Sequence, residues 1–491
     1  MILAQVPIQA PVISWLGIAP ELIMGVGAAL VLLVEVQWKP SRRTLVWVAG
    51  AVFALAAAAT VALHLFLDAG EGIDSLLPFG GMIALDQFGV FARYVLLIVA
   101  GLGLAAAWRM ISEIGTRAAE LLALMLLATA GFSLMAISAN LMMTFLGLEV
   151  GSISLYVLAG FARERTDSDE AAIKYFLLGA FASAIFVYGV ALVFAGTGEF
   201  NLIAVRQYLT GVIVFEPGVI LLGLGLVVVG LAFKVTAAPF HSWAPDVYQG
   251  APAGVVGFMA AVAKIGGFAA LVRVLVAAFP TISDDWAPVV AGIAALSIVL
   301  GSVLAIVQED LRRLLAYSGV AHAGFILTGV LSGGPGTAHV WFYLAVYAVQ
   351  LVAAFAVVAA VSGSSGTRSS LSDYAGLAQQ QPYLAATFSV ILLGMGGLPL
   401  TAGFVAKFGV FTDAWGAGFS WVVIVGVLAS VVAFFLYLRV IVTMYMDEGA
   451  AHEDDSPLTT RWVMGLAVAV TIVFGVFPGP LLDLAATALP L

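Results

Sequence analysis

The sequence predicts an all-α integral membrane protein of about fourteen transmembrane helices, with two five-helix units repeated in opposite topology. Three observations predict it. Of 491 residues, 63% are hydrophobic and only 10% are charged, with a mean hydropathy of +1.12. A soluble domain carries about 25% charged residues, so this chain cannot solvate its own surface and lipid must cover it. Apolar stretches of roughly 20 residues, enough to cross the hydrocarbon core, recur along its whole length. Two of these stretches are interrupted by proline and glycine, at corresponding places in the two halves.

Breaks at charge, proline and glycine clusters place the first seven spans near 13–36, 44–67, 86–108, 118–138, 141–161, 171–195 and 218–239. The other seven fall near 252–279, 287–307, 313–332, 338–362, 382–413, 420–445 and 461–486. The chain then divides into an N-terminal three-helix flank (1–117), a first five-helix repeat (118–280), a second, inverted repeat (281–446), and a loop with the last helix (447–491). The opening MILAQVPIQAP has no basic region before its apolar stretch, so it does not read as a cleaved signal peptide.

The basic residues test this division. Of 19 lysines and arginines, eleven fall in alternate loops: Lys39, Arg42, Arg43, Arg109, Arg117, Arg163, Arg165, Arg312, Arg313, Arg368 and Arg461. Only Arg206 lies in a loop of the opposite set. That asymmetry puts the basic loops in the cytoplasm and both termini outside. The acidic stretch Glu453-Asp454-Asp455 then reads as a solvated cytoplasmic loop.

With no cysteine, the chain has no thiolate for an iron–sulfur cluster or a cysteine zinc site. Its five histidines, at 64, 241, 322, 339 and 452, lack metal-ligand spacing. No metal and no cofactor are therefore expected in this chain.

Lysine usage is the anomaly. Four of the five lysines, Lys174, Lys234, Lys264 and Lys407, fall within predicted spans. Glu149 joins them, roughly 12 Å into the fifth span at the helical rise. Each charge at mid-membrane costs about 2.5–3.5 kcal/mol even on the lenient insertion scale. Lys174 sits near the cytoplasmic end of its helix and could simply snorkel to the headgroups. Arg273 and Arg439 read as interface anchors, and Arg93 either as a partner for a carbonyl or acid or as a functional group. Lys234, Lys264, Lys407 and Glu149 reach no interface so easily. An amine whose charged form is disfavoured by burial can take up and release a proton, which makes these four the candidate proton path.

The seventh span reads GLAFKVTAAPFHSWAPDVYQGAPAG, where Pro239 breaks the helix just past Lys234. The twelfth reads LLGMGGLPLTAGFVAKFGVF, where Gly394, Gly396, Gly397 and Pro399 interrupt it before Lys407. Freed backbone groups at membrane depth are tolerated only where protein or water satisfies them. Paired breaks in two inverted halves point to an ion site near the midplane. His322, inside the tenth span, reads either as a hydrogen-bonded packing residue or as a relay between Lys264 and Lys407. His241, beside Trp243 after the break, reads as a loop-positioning residue and a second candidate relay. Gly266 and Gly267 are expected to leave room for water beside Lys264, and Lys264→Met to cost little stability.

Several segments together resemble one family. AAIKYFLLGAFASAIFVYG, FHSWAPDVYQGAP, EDLRRLLAYSGVAHAGF and GLPLTAGFVAKF, in this order, are similar to subunit N of the bacterial proton-pumping NADH–quinone oxidoreductase, respiratory complex I. PDVYQGAP after the broken helix, with KYFLLGA in the sixth span, favours subunit N over its paralogues, subunits L and M. The resemblance implies a fifth-helix glutamate at Glu149 paired with a seventh-helix lysine at Lys234, a central lysine at Lys264 and a twelfth-helix lysine at Lys407. Lys174 matches a sixth-helix lysine. It also implies a place among the other membrane-arm subunits in the bacterial cytoplasmic (inner) membrane. NADH, FMN, iron–sulfur clusters and quinone would then belong to other subunits. The alternatives are a subunit of a multi-subunit cation/proton antiporter or related quinone-reducing complex, a solute symporter and a passive scaffold. A symporter would need a polar pocket at the breaks, and a scaffold would not need the buried lysines.

Orientation is directly testable in a chain without native cysteine. A cysteine placed at Ser456 should react with an impermeant maleimide only from the cytoplasmic side, and one at Ser75 only from outside. Reversed labelling would overturn the span count.

Overall fold

In lipid, a spanning backbone must satisfy its own polar groups, and for a single chain without strand periodicity that means helix. The structure, a computed structural model, describes residues 11–70, 76–211, 217–363, 369–449 and 457–491. Ser75, Arg368, His452, Glu453-Asp454-Asp455, Ser456 and the first ten residues lie outside the described residues.

Among the described residues, eleven helices are long and apolar enough to cross a membrane. In chain order they include α1 (Trp15–Trp38), α2 (Arg42–Ala69), α3 (Gln87–Ala106), α4 (Ala118–Ile137), α5 (Leu141–Ala159) and α6 (Thr166–Thr197). Two shorter pieces follow, α7 (Gly218–Lys234) and α8 (Trp243–Gly250), and then α9 (Ala253–Val272). The second half contains α10 (Ser283–Ile306), α11 (Leu311–Val330), α12 (Thr337–Ser362), α13 (Pro382–Gly396), α14 (Ala402–Gly416), α15 (Ser420–Met446) and α16 (Leu458–Val476).

The ends of these helices follow local chemistry. Ser14, Ser41, Asp86, Asn140 and Asp310 cap α1, α2, α3, α5 and α11 with side-chain acceptors for first-turn N–H groups. The closest helix pairs are made by small residues. A Cβ on Gly131 of α4 would stand 2.3 Å from the Gly151 nitrogen of α5. In the second half, a Cβ on Gly301 of α10 would stand 2.4 Å from the Ala321 nitrogen of α11. Without hydrophobic drive between helices in lipid, such backbone approach supplies the packing. α9 is buried along its whole length and α12 along most of its own, so these two form the axis of the bundle. α2, α6 and α16 keep long apolar faces open to lipid or a neighbour.

The structure corrects several expectations. α7 ends at Lys234, five residues before Pro239, because the chain turns at Thr236 with φ +65°. Pro239 marks the exposed far side of a break that Thr236 begins. The twelfth stretch is broken before Lys407, as the sequence predicts, into α13 and α14 with Leu400 at φ +70° between them. The last span stops at Val476, and a separate helix, Gly479–Thr487, follows Pro478. Arg273 is not an interface anchor. It is 2% exposed, ion-paired with Asp86 at 2.6 Å, and donates to the Ala136 carbonyl. Arg439 instead donates to the Ile306 and Gln308 carbonyls at the end of α10.

Arg93 finds both partners the sequence left open. It binds Glu21 of α1 at 2.8 and 2.9 Å and the Gly17 carbonyl at 2.6 Å, while Ser133 of α4 also donates to Glu21. This buried pair joins α1 to α3, and Ser133 links it to α4. Arg93→Met should lower stability by about 3–5 kcal/mol, since it strands a buried carboxylate. Adding Glu21→Gln should recover most of that loss in thermal unfolding of the purified complex, whereas a passive surface pair would show no such coupling.

Candidate functional site

Breaking a helix inside a membrane frees carbonyls that water cannot reach. In this chain buried lysines answer them. Lys264, on the central helix α9, sends Nζ to the Val235 carbonyl at 2.9 Å and the Gly319 carbonyl at 3.0 Å. Its third bond goes to the Thr236 hydroxyl. All three ammonium hydrogens are therefore placed. Val235 and Thr236 are the first residues past α7, so the amine sits on the negative end of the broken helix, where a cation is favoured. Lys407 repeats the motif: its Nζ donates to the Gly396 carbonyl, the last of α13, at 2.9 Å. The Phe325 ring lies 4.7 Å from the same amine.

Lys234 is different. It is 2% exposed, and its Nζ has no hydrogen-bond partner. The rings of Phe132, Tyr156 and Tyr175 surround it at 5.8, 5.5 and 5.4 Å. Glu149 is half-buried on α5 and accepts from the Ser183 hydroxyl of α6. The ion pair expected between Glu149 and Lys234 is thus open in this conformation.

Between Lys264 and Lys407 stands His322 of α11, 3% exposed. Its Nδ1 shares a hydrogen bond of 2.8 Å with the Tyr343 hydroxyl, and its Nε2 one of 3.3 Å with Tyr437. Tyr347 stacks on the ring at 4.2 Å between centroids. The Tyr347 hydroxyl lies 3.3 Å from an ideal Cβ on Gly319, whose carbonyl Lys264 binds. Structure therefore places His322 of α11 within electrostatic reach of both Lys264 of α9 and Lys407 of α14.

Lys174 stands apart from these groups. It is 42% exposed at the end of α6 and pairs with Glu170 and with Asp246 of α8, each at 2.7 Å. Asp246 also binds Arg313 of α11 at 2.6 Å. The stacked rings of Tyr175 and Trp243, 4.3 Å apart, separate this charged mouth from Lys234. Trp243 in turn donates to the Phe233 carbonyl freed by the break. His241 is half-buried in the break with its ring edge-on to Tyr317 at 6.2 Å, and touches none of the lysines by hydrogen bond. Pro239 and Pro399 are both exposed.

Gly266 and Gly267 do not leave space for water. A Cβ on Gly266 would stand 2.7 Å from Phe132, and one on Gly267 2.7 Å from Val235. Gly267 lets α9 approach the broken helix closely enough for Lys264 to reach its carbonyl, and Gly266 seats α9 against Phe132 of α4. Sequence reasoning missed Thr236, Tyr343, Tyr437 and Asp246. A tyrosine in an apolar span reads as packing, although Tyr343 and Tyr347 at i, i+4 do mark a polar stripe on a buried helix. Among the described residues no cluster of His, Asp or Glu could hold a metal ion.

Fold and site define a polytopic membrane subunit built around buried, titratable lysines at broken helices. Residues 138–433 match the NADH:quinone oxidoreductase/Mrp antiporter transmembrane family. NADH-quinone oxidoreductase subunit N of Chloroflexus aggregans is 38% identical over 95% of both chains, and that of Trichlorobacter lovleyi 37% over 96% of both. Among solved structures, a chain of respiratory complex I from Thermus thermophilus is 32% identical and superposes with TM-score 0.80, over 95% of this chain and 99% of that one. A chain of the Mrp complex from Dietzia shares the fold, with TM-score 0.84 at 22% identity over 97% of each chain. This chain belongs to the NADH-quinone oxidoreductase subunit N family.

The two kinds of buried lysine make opposite stability predictions. Lys264→Met removes three hydrogen bonds at the break, at about 0.5–1.5 kcal/mol net for each bond lost. Lys234→Met strands nothing and should be neutral or stabilising, as apolar replacement of a buried charge often is. Thermal midpoints of the assembled complex measure both, and equal losses would refute the assignment of Lys264 as the carbonyl cap.

Proposed function

We propose that this chain is a proton-translocating membrane-arm subunit N of an NADH–quinone oxidoreductase, coupling quinone reduction elsewhere in the complex to proton movement. The observation that carries this reading is Lys264, held at a helix break by two carbonyls and a hydroxyl. The Thr236 hydroxyl can accept from an ammonium or donate to a neutral amine, so the site has a partner for either protonation state. Arginine would keep its proton there; lysine can release it.

In this reading the chain crosses the bilayer about fourteen times. The eleven long helices are joined by α11 and by two broken spans, α7 with α8 and α13 with α14. Residues 118–280 and 281–446 form inverted repeats, a reading supported by the matching glycine contacts of α4–α5 and α10–α11. Both termini face outside and the basic loops face the cytoplasm.

The step itself is electrostatic. A carboxylate beside an ammonium favours the charged form, and withdrawing it favours release. Redox events in neighbouring subunits displace Glu149 relative to Lys234, whose aromatic cage offers no hydrogen bond as substitute. The proton passes to Lys264, then through His322 to Lys407. Lys174, with Asp246, lies at the cytoplasmic mouth and sets the charge there. NADH, FMN, the iron–sulfur clusters and quinone belong to other subunits, and this chain carries no redox centre of its own.

Lys264→Arg separates this from a structural role. Arginine preserves the donors and the charge, so a structural lysine would tolerate it. A titrating lysine would not: proton pumping by the assembled complex should fall ~100-fold, the lower end for loss of a proton-transfer group. Glu149→Ala should depress pumping and coupled quinone reduction while the complex assembles. Normal pumping by Lys264→Arg would sink the reading.

A further inference from the structure

The path proposed above reaches Lys407 and His322 at mid-bundle and then needs a way out. We infer that His339 and Asp413 form the group that releases the proton at the outer surface, reached from His322 by way of Tyr343.

Geometry carries this inference, which rests on the proton-path reading. His339 lies in the first turn of α12 and Asp413 in the last turn of α14, at the end of the bundle that the basic-loop asymmetry places outside. His339 Nδ1 is 2.7 Å from Asp413 Oδ2, and the two side chains are 31% and 14% exposed. Both therefore meet the surface while remaining continuous with the interior. Along α12, His339, Tyr343 and Tyr347 succeed one another at i, i+4 and i+8, which puts them on one face. Tyr343 already holds His322 Nδ1 at 2.8 Å, and Tyr347 stacks on the same imidazole. The stripe thus begins at the relay histidine and ends at the His339–Asp413 pair.

The neighbouring helix is shaped to receive the imidazole. A Cβ on Gly409 would stand 2.4 Å from His339 Cδ2 and 2.7 Å from Cγ, so the ring lies directly on the α14 backbone. Gly409 sits between Lys407 and Asp413 on that helix. The ring's place is consequently set by a backbone with no side chain, next to the lysine that ends the buried run.

The chemistry involves only N–H and O–H bonds. Lys407 returns its proton to His322, and the imidazolium so formed gives its Nδ1 proton to the Tyr343 oxygen as the Tyr343 hydroxyl proton leaves for a bridging water. That water protonates His339, and the imidazolium is held opposite the Asp413 carboxylate. His339 then returns one proton to water outside, and each group regains its starting proton count when the next proton reaches His322. Histidine suits this exchange because it binds and loses a proton near neutral pH.

The test uses the whole complex in proteoliposomes, with NADH-driven quinone reduction and proton movement recorded together. His339→Gln keeps an amide donor for Asp413 but cannot carry the proton. It should cut protons moved per electron ~10-fold or more at intact assembly, and Asp413→Asn should do the same. His339→Ala should be impaired likewise, and imidazole supplied from outside should restore part of its pumping without restoring that of Lys264→Arg. A structural pair predicts normal pumping by His339→Gln and no imidazole effect, which would overturn the inference. If Lys264→Arg is impaired while the His339 and Asp413 variants pump as the parent does, the release group is wrong and the path stands. If Lys264→Arg pumps normally, the path reading fails and this inference fails with it.

Discussion

Everything distinctive in this bundle depends on one constraint: a helix broken in lipid must have its last carbonyls answered by the protein. A continuous span satisfies itself, and most of this chain does so. α7 and α13 do not, and each ends in carbonyls turned toward the interior. Lys264 answers the first break and Lys407 the second. Trp243 answers one more carbonyl, Phe233, from the far side of the first break. The left-handed turn at Thr236 that opens the first break is non-glycine and costly, about 1–3 kcal/mol, whereas α13 ends in Gly397 at φ +83°, with Leu400 at φ +70° further on. Such strain persists where surrounding contacts over-determine it, and at Thr236 one of those contacts is Lys264.

The buried charges fall into two populations with different consequences. Glu21–Arg93 and Asp86–Arg273 are closed pairs with several hydrogen bonds each, and both involve arginine. A guanidinium keeps its charge, so these pairs fix geometry: one joins α1 to α3 and α4, the other joins the start of α3 to the turn after α9. Among the described residues, the buried lysines Lys234, Lys264 and Lys407, by contrast, show no carboxylate within bonding distance. Their amines make three hydrogen bonds at Lys264, one at Lys407 and none at Lys234. The arginines of the two closed pairs keep their protons, whereas the lysines of the proposed path can release theirs.

Much of this was legible in the sequence, and the reasons for the rest are physical. Composition alone dictates a helical membrane protein, and the helix ends at Ile137 and Leu141 fall where Ser138–Asn140 predicts a break. The lysines and Glu149 stand out because a charge in an apolar run is costly. What a sequence cannot display is which acid meets which base. Glu21 and Asp86 lie more than 70 and 180 residues from their arginines. Arg273 consequently reads as an interface anchor when it is the centre of a buried pair. Pro239 is conspicuous as a helix breaker, yet the turn starts at Thr236, whose φ no residue pattern announces. Gly266 and Gly267 read as space, whereas a glycine in a packed bundle more often marks contact.

The open Glu149–Lys234 pair bears on why the lysine with fewest partners lies nearest the acid. Lys264 would lose carbonyl contacts on any large displacement, so its position is pinned. Lys234 has none to lose. Phe132, Tyr156 and Tyr175 offer its amine only ring faces, an attraction worth about 0.5–2 kcal/mol and weakly directional. Glu149 is likewise held by one serine hydroxyl and is partly exposed at the bundle surface, where a neighbouring subunit can act on it. A pair that opens and closes, as the proposed step requires of Glu149 and Lys234, needs end states of similar energy. Three ring faces on one side and a single hydroxyl on the other keep either state from being a deep trap, and the pinned Lys264 next along the run supplies the fixed point against which that motion registers.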